Sequence, residues 1–145
     1  MRKSFYATLV ASTITATIWS VLANAEPTYI QKMNGLPAVC SIEDAYQQTE
    51  VDAAAKKYGE GKPGWSKAFQ ARLDAVRTCL DSARDKGKAF YRDEIAKHPD
   101  LKPQLSDMYV AWLAHLDHFI DDEQDDYERA YEKSANRLQA EIDAR

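Results

Sequence analysis

Cysteine, glycine and proline are all scarce in this 145-residue sequence, which contains two, five and five of them respectively. Several short motifs that mark common active sites are missing. There is no GxSxG nucleophile elbow, no GxxxxGK[ST] phosphate loop, no HExxH helix and no CxxC or CxxCH pair. These absences disfavour serine hydrolases, P-loop enzymes, zinc proteases, dithiol oxidoreductases and c-type haem proteins. The sequence therefore predicts a protein without enzymatic activity.

Period-two alternation is also missing, because no stretch alternates apolar and polar residues for long enough to form a sheet strand. The apolar residues recur instead at steps of three and four, and this spacing predicts an all-α protein. Loops are expected at 59–64 and 98–103, where glycine and proline cluster. The expected helices are, in chain order, Ile42 to Tyr58, Trp65 to Lys97, and Pro103 onwards.

The third of these helices either continues to the C-terminus or breaks in the acidic run after Ile120. Short loops make successive helices antiparallel neighbours. The expected architecture is therefore a long antiparallel hairpin of the second and third helices with the shorter first helix packed against it. This arrangement is a three-helix bundle held by one disulfide.

Residues 26–39 contain Pro27, Gly35 and Pro37, and this composition predicts an irregular N-terminal arm. The first helix is too short to cover the far half of the hairpin, so another segment must do so. The arm offers five apolar side chains for this purpose: Tyr29, Ile30, Met33, Leu36 and Val39. If the arm lies elsewhere, an apolar groove is left open to a partner, a ligand or a second subunit.

The first 25 residues are typical of a secretory signal peptide. Arg2 and Lys3 precede a stretch without charge from Phe5 to Leu22, and Ala23-Asn24-Ala25 supplies small residues for a signal peptidase. An uncleaved membrane anchor is the alternative, but six hydroxyl residues dilute the stretch. We expect cleavage after Ala25 and a single mature domain, 26–145, with no stable membrane anchor. The expected location is the periplasm or the external medium.

The two cysteines are expected to form a disulfide, because thiols in an exported protein do not stay reduced. Folding the first predicted helix back along the second places Cys40 close to Cys79, so helix geometry favours the same pair. On the chain-entropy model, a bridge across this loop stabilises a fold by about 4 kcal/mol.

The chain is acidic, with a formal net charge of −4, and loss of Arg2 and Lys3 with the leader would make it more negative. This charge disfavours nucleic acid and anionic membrane surfaces as partners, whereas a basic protein remains compatible with it as a partner. The carboxylates concentrate in a run at 117–128, where seven acidic side chains occur before the next basic residue, Arg129. Arg72, Arg77 and Arg84 are expected to face this run and to neutralise part of it.

Candidate partner-binding residues come from two regions of the chain. The acidic run supplies Asp121, Asp122, Glu123, Asp125 and Asp126. The aromatic end of the hairpin supplies Tyr91, Tyr109 and Trp112. We expect a protein that acts by protein–protein interaction, as an inhibitor, immunity protein or chaperone-like factor. A second copy of the chain, forming a dimer, is an alternative partner.

His115, His118 and Asp122 lie at helical spacing i, i+3 and i+7, on a flank beside the apolar stripe. Two imidazoles and a carboxylate suit Zn²⁺, Cu²⁺ or Ni²⁺. The alternative is a pair of solvated or ion-paired histidines. The second functional hypothesis is therefore a protein that binds a divalent metal or a small ligand through this flank.

Overall fold

The all-α prediction is confirmed by the computed structural model, which describes residues 26–121 and 124–145. Of that part of the chain 88% is helical and none of it is in a strand. The helices are α1, Tyr29–Tyr58; α2, Pro63–Lys97; α3, Lys102–Asp117; and α4, Gln124–Asp143, with a short 3-10 turn at Pro99–Leu101. The predicted signal peptide lies outside the described residues.

Two antiparallel helical hairpins make up the fold: α1 packs along α2, and α3 packs against α4. Gly59 and Gly61 sit in the first turn with φ of +86° and +72°, a region that glycine adopts without strain. The expected three-helix arrangement is not confirmed. The long hairpin is formed by α1 and α2 and not by the second and third predicted helices. The third predicted helix is divided into α3 and α4.

The break between α3 and α4 falls in the acidic run, as one of the two sequence alternatives predicted. An unbroken helix would stack like charges four residues apart, such as Asp117 with Asp121 and Asp121 with Asp125, which destabilises a helix. The break instead places Asp125 and Asp126 in the first turn of α4. Carboxylates there are favoured by the helix dipole.

The predicted irregular arm is wrong, because α1 begins at Tyr29 and continues without interruption through residues 29–39. A capping box starts the helix. Thr28 Oγ1 accepts from the Gln31 amide at 3.2 Å, and the Thr28 amide donates to Gln31 Oε1 at 2.9 Å. The T-x-x-Q pattern of residues 28–31 is the sequence signal that favours this helix start, against the proline and glycine that favour an irregular arm.

Pro37 lies inside α1 because a side chain from another helix replaces the hydrogen bond that proline cannot make. Proline has no amide hydrogen, so the carbonyl four residues earlier, that of Met33, loses its helical donor. The Nε1–H of Trp112 on α3 donates to this carbonyl at 3.1 Å in a buried position. The carbonyl is thus satisfied, and the same bond ties α1 to α3.

Trp112 is also the largest fully buried side chain among the described residues. Its side chain is fully buried, as is that of Met33, and Tyr109 stacks beside it with ring centroids 5.9 Å apart. On the other side it lies against Gly87 of α2, where a Cβ would come within 2.6 Å of Trp112 Cζ3. Of the five side chains that the 29–39 segment offers as cover, Tyr29 and Met33 are buried in the core with Trp112. Ile30 and Leu36 pack against that core while partly buried, and Val39 is 59% exposed.

The predicted disulfide is present between Cys40 and Cys79, with Cα atoms 5.6 Å apart. Cys40 is completely buried, so the bridge joins α1 to α2 from inside the core. Within the described ranges, no helix has the length and apolar character needed to cross a membrane.

The contact between Gly87 and Trp112 predicts a contrast between two glycine substitutions inside helices. Gly87→Ala should lower the free energy of unfolding by about 1–3 kcal/mol, because the added methyl group overpacks the tryptophan. Gly35→Ala is the matched control, since no atom lies within 4 Å of its Cβ position. It should raise stability by about 0.5–1 kcal/mol, the ordinary helix preference of alanine over glycine. Urea unfolding of the oxidised protein measures both, and a Gly87→Ala protein as stable as Gly35→Ala would contradict the packing.

Candidate functional site: an acidic cleft between α1 and α4

His115 is a buried histidine on α3, almost one helical turn after Trp112. Its side chain is 4% exposed. The ring stacks near Tyr131 of α4, with centroids 6.0 Å apart, and meets Phe119 edge-on at 6.1 Å. No described residue makes a hydrogen bond to its Nδ1 atom, which is also buried.

Burial lowers the pKa of His115 below its usual value of 6.5, because the charged imidazolium is poorly solvated there. The carboxylates of Glu128 and Glu132 oppose this effect by favouring the charged form, but burial is the larger cause. His115 is therefore neutral at neutral pH, with one ring nitrogen carrying a hydrogen and the other able to accept a hydrogen bond.

The His115 cleft is a hollow of about 320 Å³ between α1 and α4, and His115 is one of its lining residues. From α1 it is lined by Asn34, Pro37, Ala38 and Ser41; from the other side by His115, Phe119, Gln124, Glu128, Tyr131 and Glu132. Neither lysine nor arginine is among these residues. The two glutamates are exposed and give the cleft a negative mouth.

One hydrogen bond crosses between the two walls of the cleft: the Tyr131 hydroxyl donates to Asn34 Oδ1. Burial raises the pKa of Tyr131 above its ordinary value, so the hydroxyl keeps its hydrogen and remains a donor. Asn34 and Tyr131 also line a second hollow of about 420 Å³ further along α4. The His115 cleft is thus one end of a longer groove between the two helices.

The acidic run lies next to this cleft, at the joint between α3 and α4. Asp121 is exposed beside His118, 3.0 Å from its Nδ1, and Asp126 pairs with Arg129. Asp125 is exposed in the first turn of α4 and has no ion pair with a described residue. The two other predicted partner-binding residues of the run, Asp122 and Glu123, lie outside the described residues.

Only one of the three arginines expected to neutralise the run reaches it. Arg84 pairs with Asp117 at 2.8 Å and with Asp81 of its own helix at 2.7 Å.

The other two arginines were predicted wrongly, because the first half of α2 lies along α1 and not beside the acidic run. Arg72 makes two hydrogen bonds to Asp44 of α1, at 2.6 and 2.9 Å. Arg77 stays near Asp74 on its own helix, at 3.6 Å. The acidic run therefore has less internal counter-charge than the sequence suggested.

The histidines of the predicted metal site do not share a flank. His115 was expected beside the core and is in it. His118 follows the last residue of α3 and stacks on Tyr127, with centroids 3.7 Å apart. Across residues 26–121 and 124–145, no three His, Cys, Asp or Glu side chains are grouped closely enough to hold a metal ion. Because Asp122 is not among these residues, the three-ligand site stays a prediction.

The aromatic end offers less surface to a partner than the sequence indicated. Trp112 has no exposed surface. Tyr91 and Tyr109 stack with centroids 4.3 Å apart and are each partly exposed, and the Tyr91 hydroxyl lies 2.7 Å from Ser106 Oγ. The two tyrosines remain predicted contact residues for a partner, but packing against the core is enough to explain their positions.

The loop between α1 and α2 contains a glycine pattern that the sequence-based predictions did not include. Residues 59–64 read GEGKPG, which has the GxGxxG spacing of a dinucleotide-binding turn. That motif works where it follows a β-strand and opens a helix. Here the loop follows α1, and positive φ at Gly59 and Gly61 turns the chain directly into α2. The glycines serve the turn between two helices.

No protein-family model, curated protein or solved structure matches this chain. The assignment of function therefore depends on the chemistry of the cleft and of the acidic run beside it. Exposed carboxylates, aromatic faces and a neutral imidazole are groups that bind cations and hydrogen-bond donors.

Proposed function

We propose that this protein is exported and acts without catalysis by binding a basic protein partner, as an inhibitor, immunity or chaperone-like factor. The observation that carries the proposal is the shortage of counter-charge at the α3–α4 joint. Of the three α2 arginines expected to face the run, Arg84 alone reaches it, and it is shared with Asp81. Within the run's own surroundings, Arg129 pairs with Asp126. Exposed charges of one sign steer a complementary surface and speed its association.

The proposed location is the periplasm or the external medium. The buried Cys40–Cys79 bridge supports it, because disulfides persist in oxidising compartments. Mass measurement of the protein from a native envelope fraction should find a chain that starts at Glu26 and is lighter by two hydrogens than its reduced form. A chain that retains Met1, or one that alkylates without prior reduction, would contradict export in this form.

The partner hypothesis predicts that neutralising the run slows association. We expect the Asn variants of Asp121, Asp122, Asp125 and Asp126, combined in one protein, to keep the helical fold. Two effects oppose each other: relief of like-charge repulsion, about 0.2–0.5 kcal/mol per pair, and loss of favourable charges at the α4 N-terminus, about 0.3–1 kcal/mol each. The association rate with basic proteins captured from an envelope extract should fall about tenfold or more at low salt.

The matched control removes the same number of charges elsewhere, at the exposed residues Asp85, Asp93, Asp107 and Glu141. Stopped-flow rates at several salt concentrations compare the two variants with the wild-type protein. The wild type and the control should slow steeply with salt, because exposed charges are screened over about 8 Å at physiological ionic strength. Equal rates in both variants would show that net charge alone, and not this surface, attracts the partner.

A further inference from the structure

The α1–α2 hairpin is much longer than the α3–α4 hairpin that packs against it. α2 contains 35 residues and α3 contains 16, which correspond to about 52 and 24 Å of helix. Two ion pairs locate the shorter hairpin along α2: Asp117, at the end of α3, pairs with Arg84, and Arg145, after α4, pairs with Asp100. The α1–α2 hairpin therefore projects beyond the α3–α4 joint.

The projecting end of the hairpin consists of residues 42–58 of α1 and 63–75 of α2. Its two helices are held to each other by Arg72, which makes two hydrogen bonds to Asp44, and by the buried side chains of Val51 and Ala54. Among the described residues, the core shared with α3 reaches back along α2 only as far as Val76. The projecting end is thus a pair of helices that lacks the third layer found in the rest of the fold.

One face of α2 continues from the core into this projecting end. Gly87 lies on the face and contacts Trp112 of α3. Steps of four and three residues back along the helix then give, in order, Ala83, Leu80, Val76, Leu73, Phe69 and Trp65. The first three of these are buried, whereas Leu73, Phe69 and Trp65 are partly exposed and form what we call the open seam. An apolar helix face of this kind is normally covered by another helix.

The two ends of the open seam carry opposite charge. Residues 56–67, which form the tip of the hairpin, contain four lysines and a single acidic residue, Glu60. Glu50 and Asp52 lie further back along α1, so the outermost turns are net positive. The lysines are all exposed: Lys56, Lys57, Lys62 and Lys67. At the other end of the seam lies the α3–α4 joint with the seven carboxylates of the acidic run.

We propose that the open seam is the interface of a symmetric dimer, in which the projecting end of a second copy lies antiparallel along it and completes a four-helix bundle. The uncovered stretch of α2 from Pro63 to Val76 is about 20 Å long. Two copies related by a two-fold axis near Phe69 cover each other, because each projecting end is as long as the gap that it fills. The inference goes beyond the proposed function, since a second copy is not the basic partner proposed above.

Charge complementarity identifies the second copy as the occupant. The two-fold axis places the lysines at the tip of each copy against the acidic run of the other, so both junctions are attractive at the same time. A parallel arrangement would instead bring the two lysine tips together. The seven carboxylates exceed the four lysines, so each joint of the dimer stays acidic and can still attract a basic partner.

The size of the seam predicts a reversible dimer. Each copy contributes a patch about 20 Å long and two helices wide, with each helix about 10 Å across. This patch is at the lower end of the range for specific interfaces, so we expect a dissociation constant on the order of 10 µM. The dissociation constant should rise with added salt, because the charges at both junctions are exposed and are screened.

The test exchanges the charges of the two junctions and measures self-association of the oxidised protein by sedimentation velocity, at concentrations from about 1 µM to 1 mM. The tip variant replaces four lysines by glutamate, at Lys56, Lys57, Lys62 and Lys67. The run variant replaces four acidic residues by lysine, at Asp121, Asp125, Asp126 and Glu128. Each variant alone should dimerise at least tenfold more weakly than the wild type, because like charges then meet at both junctions. An equimolar mixture should form a heterodimer with an affinity within about threefold of the wild-type dimer, since opposite charges meet again.

A pair of apolar substitutions tests the position of the interface. Leu73→Gln, in the open seam, should weaken the dimer at least tenfold. Ile42→Gln is the matched control, because Ile42 is 71% exposed on α1 outside the seam, and it should change the dissociation constant less than twofold. Circular dichroism checks that each protein is folded. If a charge variant is not, the neutral Gln and Asn substitutions at the same positions replace it, and they should weaken the dimer and reduce its dependence on salt.

The inference is overturned if the wild-type protein stays monomeric throughout the concentration series, or if the folded charge variants do not associate when mixed. A larger effect of Ile42→Gln than of Leu73→Gln would also overturn it, since the interface would then lie on the exposed side of α1. These outcomes differ from failure of the proposed function. A monomeric protein that still captures basic proteins through the acidic run rejects the dimer alone, and a dimer that captures none rejects the proposed function alone.

Discussion

The hydrogen bond from Trp112 to the Met33 carbonyl is the interaction on which the rest of the structure depends. Proline at position 37 removes the donor that this carbonyl would have within α1, at a cost of about 3 kcal/mol or more for a helix interior. The indole supplies a donor from α3. One bond thus allows α1 to extend back to Tyr29 and fixes the second hairpin against the first. Gly87 allows this close packing, because a Cβ at its position would come within 2.6 Å of Trp112 Cζ3 and force the two helices or the indole to shift.

The cleft is a consequence of this joint. Because α1 is helical through residues 33–41, Asn34 and Ser41 form one of its walls, while α4 forms the other. His115 follows Trp112 by three residues and is therefore carried into the core with it. The Nδ1 atom of the buried imidazole has no partner among the described residues. The negative mouth of the cleft comes from Glu128, the last residue of the acidic run, and from Glu132 one turn later. Stability and the proposed recognition surface are in this way built from the same few turns of helix.

The helical class could be predicted from the sequence, because apolar periodicity is a local property of the chain. The disulfide could be predicted because the expected compartment and the antiparallel packing of the first two predicted helices favour the same cysteine pair. The continuous α1 could not, because Pro37 disfavours a helix unless its orphaned carbonyl finds a donor 79 residues away in the sequence. The burial of His115 and the distribution of Arg72 and Arg77 also depend on which helices pair. The pairing of the helices is determined by tertiary packing, so the cleft between α1 and α4 could not be predicted from the sequence.

A double-mutant cycle between Trp112→Phe and Pro37→Ala tests the central claim most directly. In the wild-type protein, Trp112→Phe leaves the buried Met33 carbonyl without a donor, which should cost about 1–3 kcal/mol in addition to the lost ring volume. In the Pro37→Ala protein the alanine amide can donate to that carbonyl, whereas the volume loss is unchanged and cancels in the cycle. Urea unfolding of the four proteins should therefore show a loss smaller by about 1 kcal/mol or more in the Pro37→Ala background. Equal losses in both backgrounds would contradict the account, because the proline and the indole would then act independently.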